Sequence, residues 1–209
     1  MAEKIRGQLG GLVLAGGAGR RMGGRKAVLE LHGTPLVVRA VGLIHAHCTE
    51  IVVVGRVGAP LPDGLSVPVV YDQPGRAGPV AGIAAGLAAL AAEDVLIFAC
   101  DLPLAGPALA RLADHAPGRA VVVVTGDGVQ PLCARVPRDA ALAAAERLLE
   151  GETPSARALI EALCADVVAC PDAWLANVNT PSDARRAEAA LALDGDGAES
   201  LGDTRSSLS

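Results

Sequence analysis

Aromatic residues are nearly absent from this 209-residue chain, which carries one Phe, one Tyr and one Trp. A core must therefore be built from Ala, Val and Leu, and the stacking platforms that hold single-stranded nucleic acid have almost nothing to be made from. Basic residues are also in deficit, 18 Lys and Arg against 23 Asp and Glu for a net charge of −5. That balance excludes the broad positive footprint of a nucleic-acid binder. No apolar run reaches the length of a membrane span, and Met1–Gln8 has no signal-peptide core. The expected setting is the cytoplasm, with no nucleic-acid or membrane partner. The five cysteines are odd in number and form no C-x-x-C pair, which argues against a disulfide framework or a zinc knuckle, and most sit in apolar surroundings as expected of buried, reduced thiols. Cys100, beside Asp101, has no histidine near it in sequence and is expected to pack beneath a site rather than react in it.

What basic charge there is lies in one place. Residues 1–40 hold seven Lys and Arg against Glu3 and Glu30, a local charge of +5. Most of it surrounds Leu14-Ala15-Gly16-Gly17-Ala18-Gly19-Arg20-Arg21-Met22-Gly23-Gly24-Arg25-Lys26, entered from the apolar run Leu12–Leu14. Glycines let backbone N–H groups turn toward an anion without a Cβ in the way, and the arginines and lysine add fork-shaped and point charge at the same mouth. The loop reads as a triphosphate cradle. It is not a dinucleotide fingerprint, because G-x-G-x-x-G from Gly17 would need glycine where Met22 stands, nor a P-loop, which needs glycine directly before the lysine where this chain has Arg25.

Short apolar runs alternate with helical patterns, which implies an α/β chain whose mostly parallel sheet is covered on both faces. Strands are expected at Leu12–Ala15, Ile51–Gly55, Val67–Tyr71, Val95–Ala99 and Ala120–Thr125, with Gln130–Val136 as an antiparallel addition and Val167–Cys170 as one more. Helices are expected at Thr34–His47, Val80–Ala91, Gly106–His115, Asp139–Glu150, Ser155–Cys164 and Pro181–Ala192. The length suits one domain, residues 1–192, and the Gly-, Asp- and Ser-rich residues 193–209 are expected to be a disordered acidic tail. Ligands of open sheets collect beyond the carboxyl ends of the strands. The glycine loop, Asp72 and Asp101 all fall at that edge.

The motif L-A-G-G-x-G-x-R-M-G-x-x-K resembles that of the nucleotidyltransferases that move an NMP unit from an NTP to a phosphorylated acceptor. Asp72 with Gly78-Pro79-Val80-Ala81-Gly82-Ile83, then Cys100-Asp101-Leu102-Pro103, then Asn177-Val178-Asn179-Thr180-Pro181-Ser182-Asp183 follow in the same order, and the likeness is strongest to the molybdenum cofactor guanylyltransferases. It covers the chain to about residue 190. The resemblance implies a single-domain, Rossmann-like three-layer nucleotidyltransferase fold. It also implies Mg²⁺ as cofactor, with GTP and molybdopterin or molybdenum cofactor as substrates, and transient contact with other proteins of molybdenum cofactor biosynthesis. One departure stands out. Many members have Asp before the lysine where this chain has Arg25, so Lys26 must be oriented from elsewhere.

Several residues become candidates on this basis. Asp101 ends a run too apolar to close on an acid without a reason, and by resemblance it is the metal-binding Asp. Lys26 is expected to meet phosphate oxygens and steady charge in the transition state. Arg20 and Arg21 are candidates for the β- and γ-phosphates, Arg20 being counted with the catalytic set. The backbone of Leu14, Ala15, Gly16, Gly17 and Gly19 forms the cradle. Asp72 is either a turn-stabilising carboxylate or, by resemblance, part of the nucleotide-binding set, and the small residues around Gly82 suit a base or ribose lying on that turn. Asn177 and Asn179 flank Val178 and, if the segment is extended as a strand, face one side; by resemblance they lie near acceptor and metal. Asn179 either adds an oxygen to Mg²⁺ or caps the final helix. The residues leave open a cytidylyltransferase for the same cofactor, a transferase with a sugar-phosphate acceptor, and a nucleotide-binding regulator without turnover.

Overall fold

A computed structural model describes residues 9–16, 26–72, 78–151 and 154–199. In chain order it runs β1 (Leu9–Leu14), a 3₁₀ turn (Lys26–Val28), a small hairpin of β2 (Glu30–Leu31) and β3 (Thr34–Pro35), α1 (Leu36–His45), β4 (Glu50–Gly55), β5 (Val69–Tyr71), α2 (Pro79–Ala88), β6 (Asp94–Ala99) and α3 (Gly106–Ala113). It continues through β7 (Val121–Thr125), β8 (Gly128–Pro137), α4 (Arg138–Leu149), α5 (Ala156–Ala162), β9 (Asp166–Ala169), a second 3₁₀ turn (Asp172–Leu175) and α6 (Pro181–Glu199). The main sheet has seven strands in the order β5-β4-β1-β6-β8-β7-β9, and only β8 runs against its neighbours. This is the expected α/β architecture, with the antiparallel strand where Gln130–Val136 placed it.

The unbroken apolar runs are explained by burial on both faces, since successive strand residues point to opposite sides. Leu12, Val52, Val54, Val95 and Ile97 pack with Ile83, Leu87, Ala141 and Leu159 of α2, α4 and α5. Val13, Val53, Leu96 and Phe98 pack with Val37, Ile44, Leu109 and Leu112 of α1 and α3. Small residues bring layers close where large aromatics are lacking: a Cβ at Gly86 would lie 2.5 Å from Leu12 Cδ1 and 2.8 Å from Val54 Cγ2, so α2 rides directly on the sheet.

Most element ends fall within three residues of expectation, and three differences bear on the site. The first helix starts at Leu36 and not at Thr34, because His32 (φ 48°) and Gly33 (φ 74°) turn the chain so that Thr34–Pro35 pairs with Glu30–Leu31. A residue before proline also avoids helical geometry. The turn Asp172–Leu175 was not anticipated. The last helix passes Ala192 and ends at Glu199, while residues 200–209 of the expected tail lie outside the described residues.

Helix α6 is fastened beside the carboxyl edge of the sheet. Ala184 and Ala187 join Leu31, Leu36 and Val178 in a third apolar cluster. His32 adds polar ties to Glu188, its N–H donating to Oε1 at 3.0 Å and its Nε2 lying 3.0 Å from the Glu188 carbonyl oxygen. This cluster spans the residues just after Lys26 and those flanking Asn179, so it joins two of the candidate site segments.

Candidate nucleotide site

Three segments far apart in sequence meet at the carboxyl edge. Lys26 follows the loop after β1, Asp101 follows β6, and Asn179 follows β9 and its 3₁₀ turn. The Lys26 ammonium donates to Asp101 Oδ2 and to Asn179 Oδ1, the latter at 2.5 Å. Backbone bonds tie the Asp101 segment to β1 and to the Asn179 segment: Cys100 N–H donates to Leu14 O at 3.1 Å, and Val178 N–H donates to Asp101 O at 2.9 Å. The orientation that Arg25 left unexplained is thus supplied to Lys26 by a carboxylate and an amide oxygen.

Asn179 is not the cap of the last helix. Thr180 takes that position, its Oγ1 accepting from Asp183 N–H at 3.2 Å, while Asp183 Oδ2 accepts from Asn179 N–H at 2.9 Å. This variation on a capping box, in which the N3 carboxylate reaches the residue before the cap, pins the Asn179 backbone and leaves its side chain for Lys26. The Asn179 N–H, then the Thr180 side chain, hold the Asp183 carboxyl below the ordinary carboxylate range. Because the folded value is depressed, the stabilisation is present above the unfolded value of about 4 and lost as pH falls through the folded one. Amide protection at Asn179 is expected to fall on acidification below about pH 4, and Asp183→Asn is expected to remove that step. An unchanged protection profile in the variant would show that Asp183 does not hold the segment.

The remaining expected residues fall at the same edge with different surroundings. Leu14 and Ala15 end β1, and Ala15 N–H donates to Val54 O at 2.9 Å. A Cβ at Gly16 would stand 3.2 Å from Arg56 Cβ and 3.3 Å from Arg56 N, so the loop departs hard against β4. Gly82 is buried on the sheet side of α2, where a Cβ would stand 3.3 Å from Leu14 Cδ2 and Val54 Cγ1, so its small size serves helix–sheet packing there. Asp72 donates its N–H to Gly55 O at 3.2 Å and lies two strands from β1, outside the Lys26 cluster. Val178 is buried and Asn177 and Asn179 are exposed, the alternation expected of them. Gly17, Gly19, Arg20, Arg21 and Arg25 lie outside the described residues.

Supporting residues that no sequence spacing announces hold the third segment. Arg111 of α3 stacks 4.6 Å from the Trp174 ring centroid, and its Nη1 donates to Ala169 O at 2.7 Å. Asp172 Oδ1 accepts from Gly126 N–H at 2.7 Å. Beneath the site, burial together with the neighbouring Asp101 charge pushes the Cys100 thiol up to about 12, which keeps it protonated and not nucleophilic. Burial likewise pushes Cys48 and Cys133 up to about 12.

Comparison with known proteins decides what kind of site this is. A family model, the MobA-like NTP transferase domain, matches residues 11–168. The chain belongs to this family. Among MobA-like relatives, the molybdenum cofactor guanylyltransferase of Rhodobacter capsulatus is 40% identical over 190 residues, 87% of this chain and 95% of the relative. That of Ectopseudomonas mendocina (strain ymp) is 35% identical over 175 residues, 81% of this chain and 87% of its own. The crystal structure of molybdopterin-guanine dinucleotide biosynthesis protein A from Archaeoglobus fulgidus superposes with a TM-score of 0.70 at 25% identity, covering 88% of this chain and 99% of that one. The family match includes Lys26, Asp72 and Asp101 and stops before Asn179. In this MobA-like chain the third member of the cluster therefore comes from sequence beyond the matched segment.

Among the described residues no helix is long and apolar enough to cross a membrane.

Proposed function

We propose that this MobA-like NTP transferase moves GMP from GTP to the terminal phosphate of molybdopterin or its molybdenum-loaded form, releasing pyrophosphate. The observation that carries the reading is the meeting of Lys26, Asp101 and Asn179 at the carboxyl edge, beside the start of the glycine loop. The names of the relatives supply the guanine and the molybdenum cofactor.

The donor set suits a divalent cation. Asp101 and Asn179 offer two hard oxygens to one point, already taken by a positive charge, the Lys26 ammonium. No group of three or more His, Cys, Asp or Glu able to hold a metal occurs among the described residues. That fits Mg²⁺, which takes one or two protein oxygens and completes its shell with phosphate and water. When bound, the ion supplies charge neutralisation on the phosphates. Asp101 and Asn179 would hold it, and Lys26 would turn to the phosphate oxygens.

The chain's own groups then do the rest. Acceptor phosphate attacks the α-phosphorus, the α–β phosphoanhydride bond breaks, and pyrophosphate leaves with the electron pair. Lys26 and the backbone amides of the loop from Gly16 to Gly19, with Arg20 and Arg21 toward the β- and γ-phosphates, stabilise charge that builds on the oxygens, the Ala15 N–H being already given to Val54 O. Asp72 and the turn at Gly82 flank the nucleoside, and Asn177 with Asn179 flanks the acceptor. No covalent enzyme intermediate is needed, because positioning and electrostatics carry such transfers.

Pyrophosphate release measured with molybdopterin and each of the four NTPs tests the reading. GTP is expected to give the highest kcat/KM. Preference for CTP would make the chain a cytidylyltransferase, turnover only with a sugar phosphate would move the acceptor, and GTP binding without release would leave a regulator.

A further inference from the structure

Arg56 follows β4 at the crevice and no part of the mechanism uses it. It sits against the first described turn of the glycine loop, within 3.3 Å of where a Gly16 Cβ would be. Gly55 pairs with Tyr71 in the parallel ladder, so the next residue of each strand, Arg56 and Asp72, lie side by side just past the ladder. Val54 and Val70 both pack into the α2-side cluster, and by strand alternation Arg56 and Asp72 leave the sheet on that same side. Arg56 is exposed; its carbonyl oxygen accepts from Ala59 N–H at 3.0 Å, while among the described residues its side chain has no hydrogen bond or ion pair, to Asp72 or to any other. An arginine and an aspartate therefore occupy neighbouring backbone positions at the edge, and among the described residues neither side chain has a hydrogen-bond or ion-pair partner.

That pairing has a chemical match. Guanine carries two adjacent acceptors, O6 and N7, that fit a guanidinium fork, and two adjacent donors, N1–H and the 2-amino group, that fit a carboxylate. Adenine places an amino group where guanine has O6. Cytosine offers a single amino donor beside the acceptor N3, which would face the second carboxylate oxygen. Unmatched polar edges of this kind are what make a hydrogen-bonding site reject the wrong ligand.

We propose that Arg56 reads the O6/N7 edge of guanine and makes this chain select GTP over CTP and ATP. The inference rests on the guanylyl reading, with Asp72 beside the nucleoside.

Equilibrium binding of GTP, 7-deaza-GTP and CTP to the full chain and to Arg56→Ala tests it. The unaltered chain is expected to bind GTP more tightly than 7-deaza-GTP, which lacks the N7 acceptor. Arg56→Ala is expected to weaken GTP about 10- to 100-fold, the scale of one bidentate base contact. It should leave CTP nearly unchanged and bind GTP and 7-deaza-GTP alike. Arg56→Lys, which keeps the charge without the fork, is expected to fall between. Equal weakening of GTP and CTP would assign Arg56 to the phosphates, and no weakening would make it a surface residue; either overturns the proposal. Failure of the guanylyl reading is separately visible, since the unaltered chain would then prefer CTP or another NTP to GTP.

Discussion

Asp101→Ala is expected to lower kcat for nucleotidyl transfer by about a thousand-fold or more while the fold survives. A metal's charge stabilisation on transferring phosphates is worth several kcal/mol, and each ~1.4 kcal/mol is tenfold in rate. Asp101 lies beyond the last residue of β6, and its carboxylate is bonded to Lys26. The main-chain bond from Val178 N–H to Asp101 O does not depend on the side chain, so the Asn177–Asn179 segment keeps its anchor. Asp101→Asn, which keeps shape and one acceptor without the charge, is expected to lose nearly as much. Circular dichroism checks the fold and single-turnover kinetics checks the rate. Near-normal kcat for Asp101→Asn at saturating Mg²⁺ would remove this carboxylate as the metal ligand.

The second large effect is expected far from the chemistry. Asp94 begins β6 at the opposite end from Asp101, and both it and Arg135 are almost fully buried, 4% and 5% exposed. Arg135 Nη2 donates to Asp94 Oδ2 at 2.7 Å, while its Nη1 donates to Ala113 O and His115 O at 2.9 and 2.8 Å. Gly118 N–H completes the carboxylate's partners at 3.0 Å. Removing one charge from such a pair strands the other, a loss of about 3–5 kcal/mol. Arg135→Met is therefore expected to lower Tm by about 10 °C or more for a chain of this size, with kcat at low temperature unchanged. Adding Asp94→Leu is expected to restore much of the loss, because a matched apolar pair carries no buried charge. A single-variant Tm within about 2 °C of the unaltered chain would show that solvent reaches the pair.

Much of the architecture was legible along the chain because it is written in local pattern. Runs such as Val95–Ala99 and Ile51–Gly55 are apolar throughout only if both faces are covered, and the polar exceptions Asp72 and Asp101 stand where strands end. The β2–β3 hairpin was missed because its two pairs are too short to show a period and because Thr34 precedes an apolar helical run. The longer α6 was missed because the glycines and acids after Ala192 disfavour a helix locally, whereas the cluster of Val178, Ala184 and Ala187 with Leu31 and Leu36 anchors its start.

The sequence by itself determined the fold class and the edge of the sheet at which the candidate residues gather, since both follow from periodicity and from the order of glycine loop, strand and acid. Tertiary structure alone decided which of those residues act together. Lys26 and Asn179 are 153 positions apart, and no spacing rule links them; only the packing of α6 against the hairpin and the bond from Val178 to Asp101 bring them within 2.5 Å. The same holds for the Asn179 side chain: a helix opening at Pro181 already points to Thr180 as its cap, but only the tertiary structure gives the Asn179 amide its partner, Lys26. Arg56 became a candidate for the same reason: parallel register, which depends on strands distant in sequence, sets it beside Asp72.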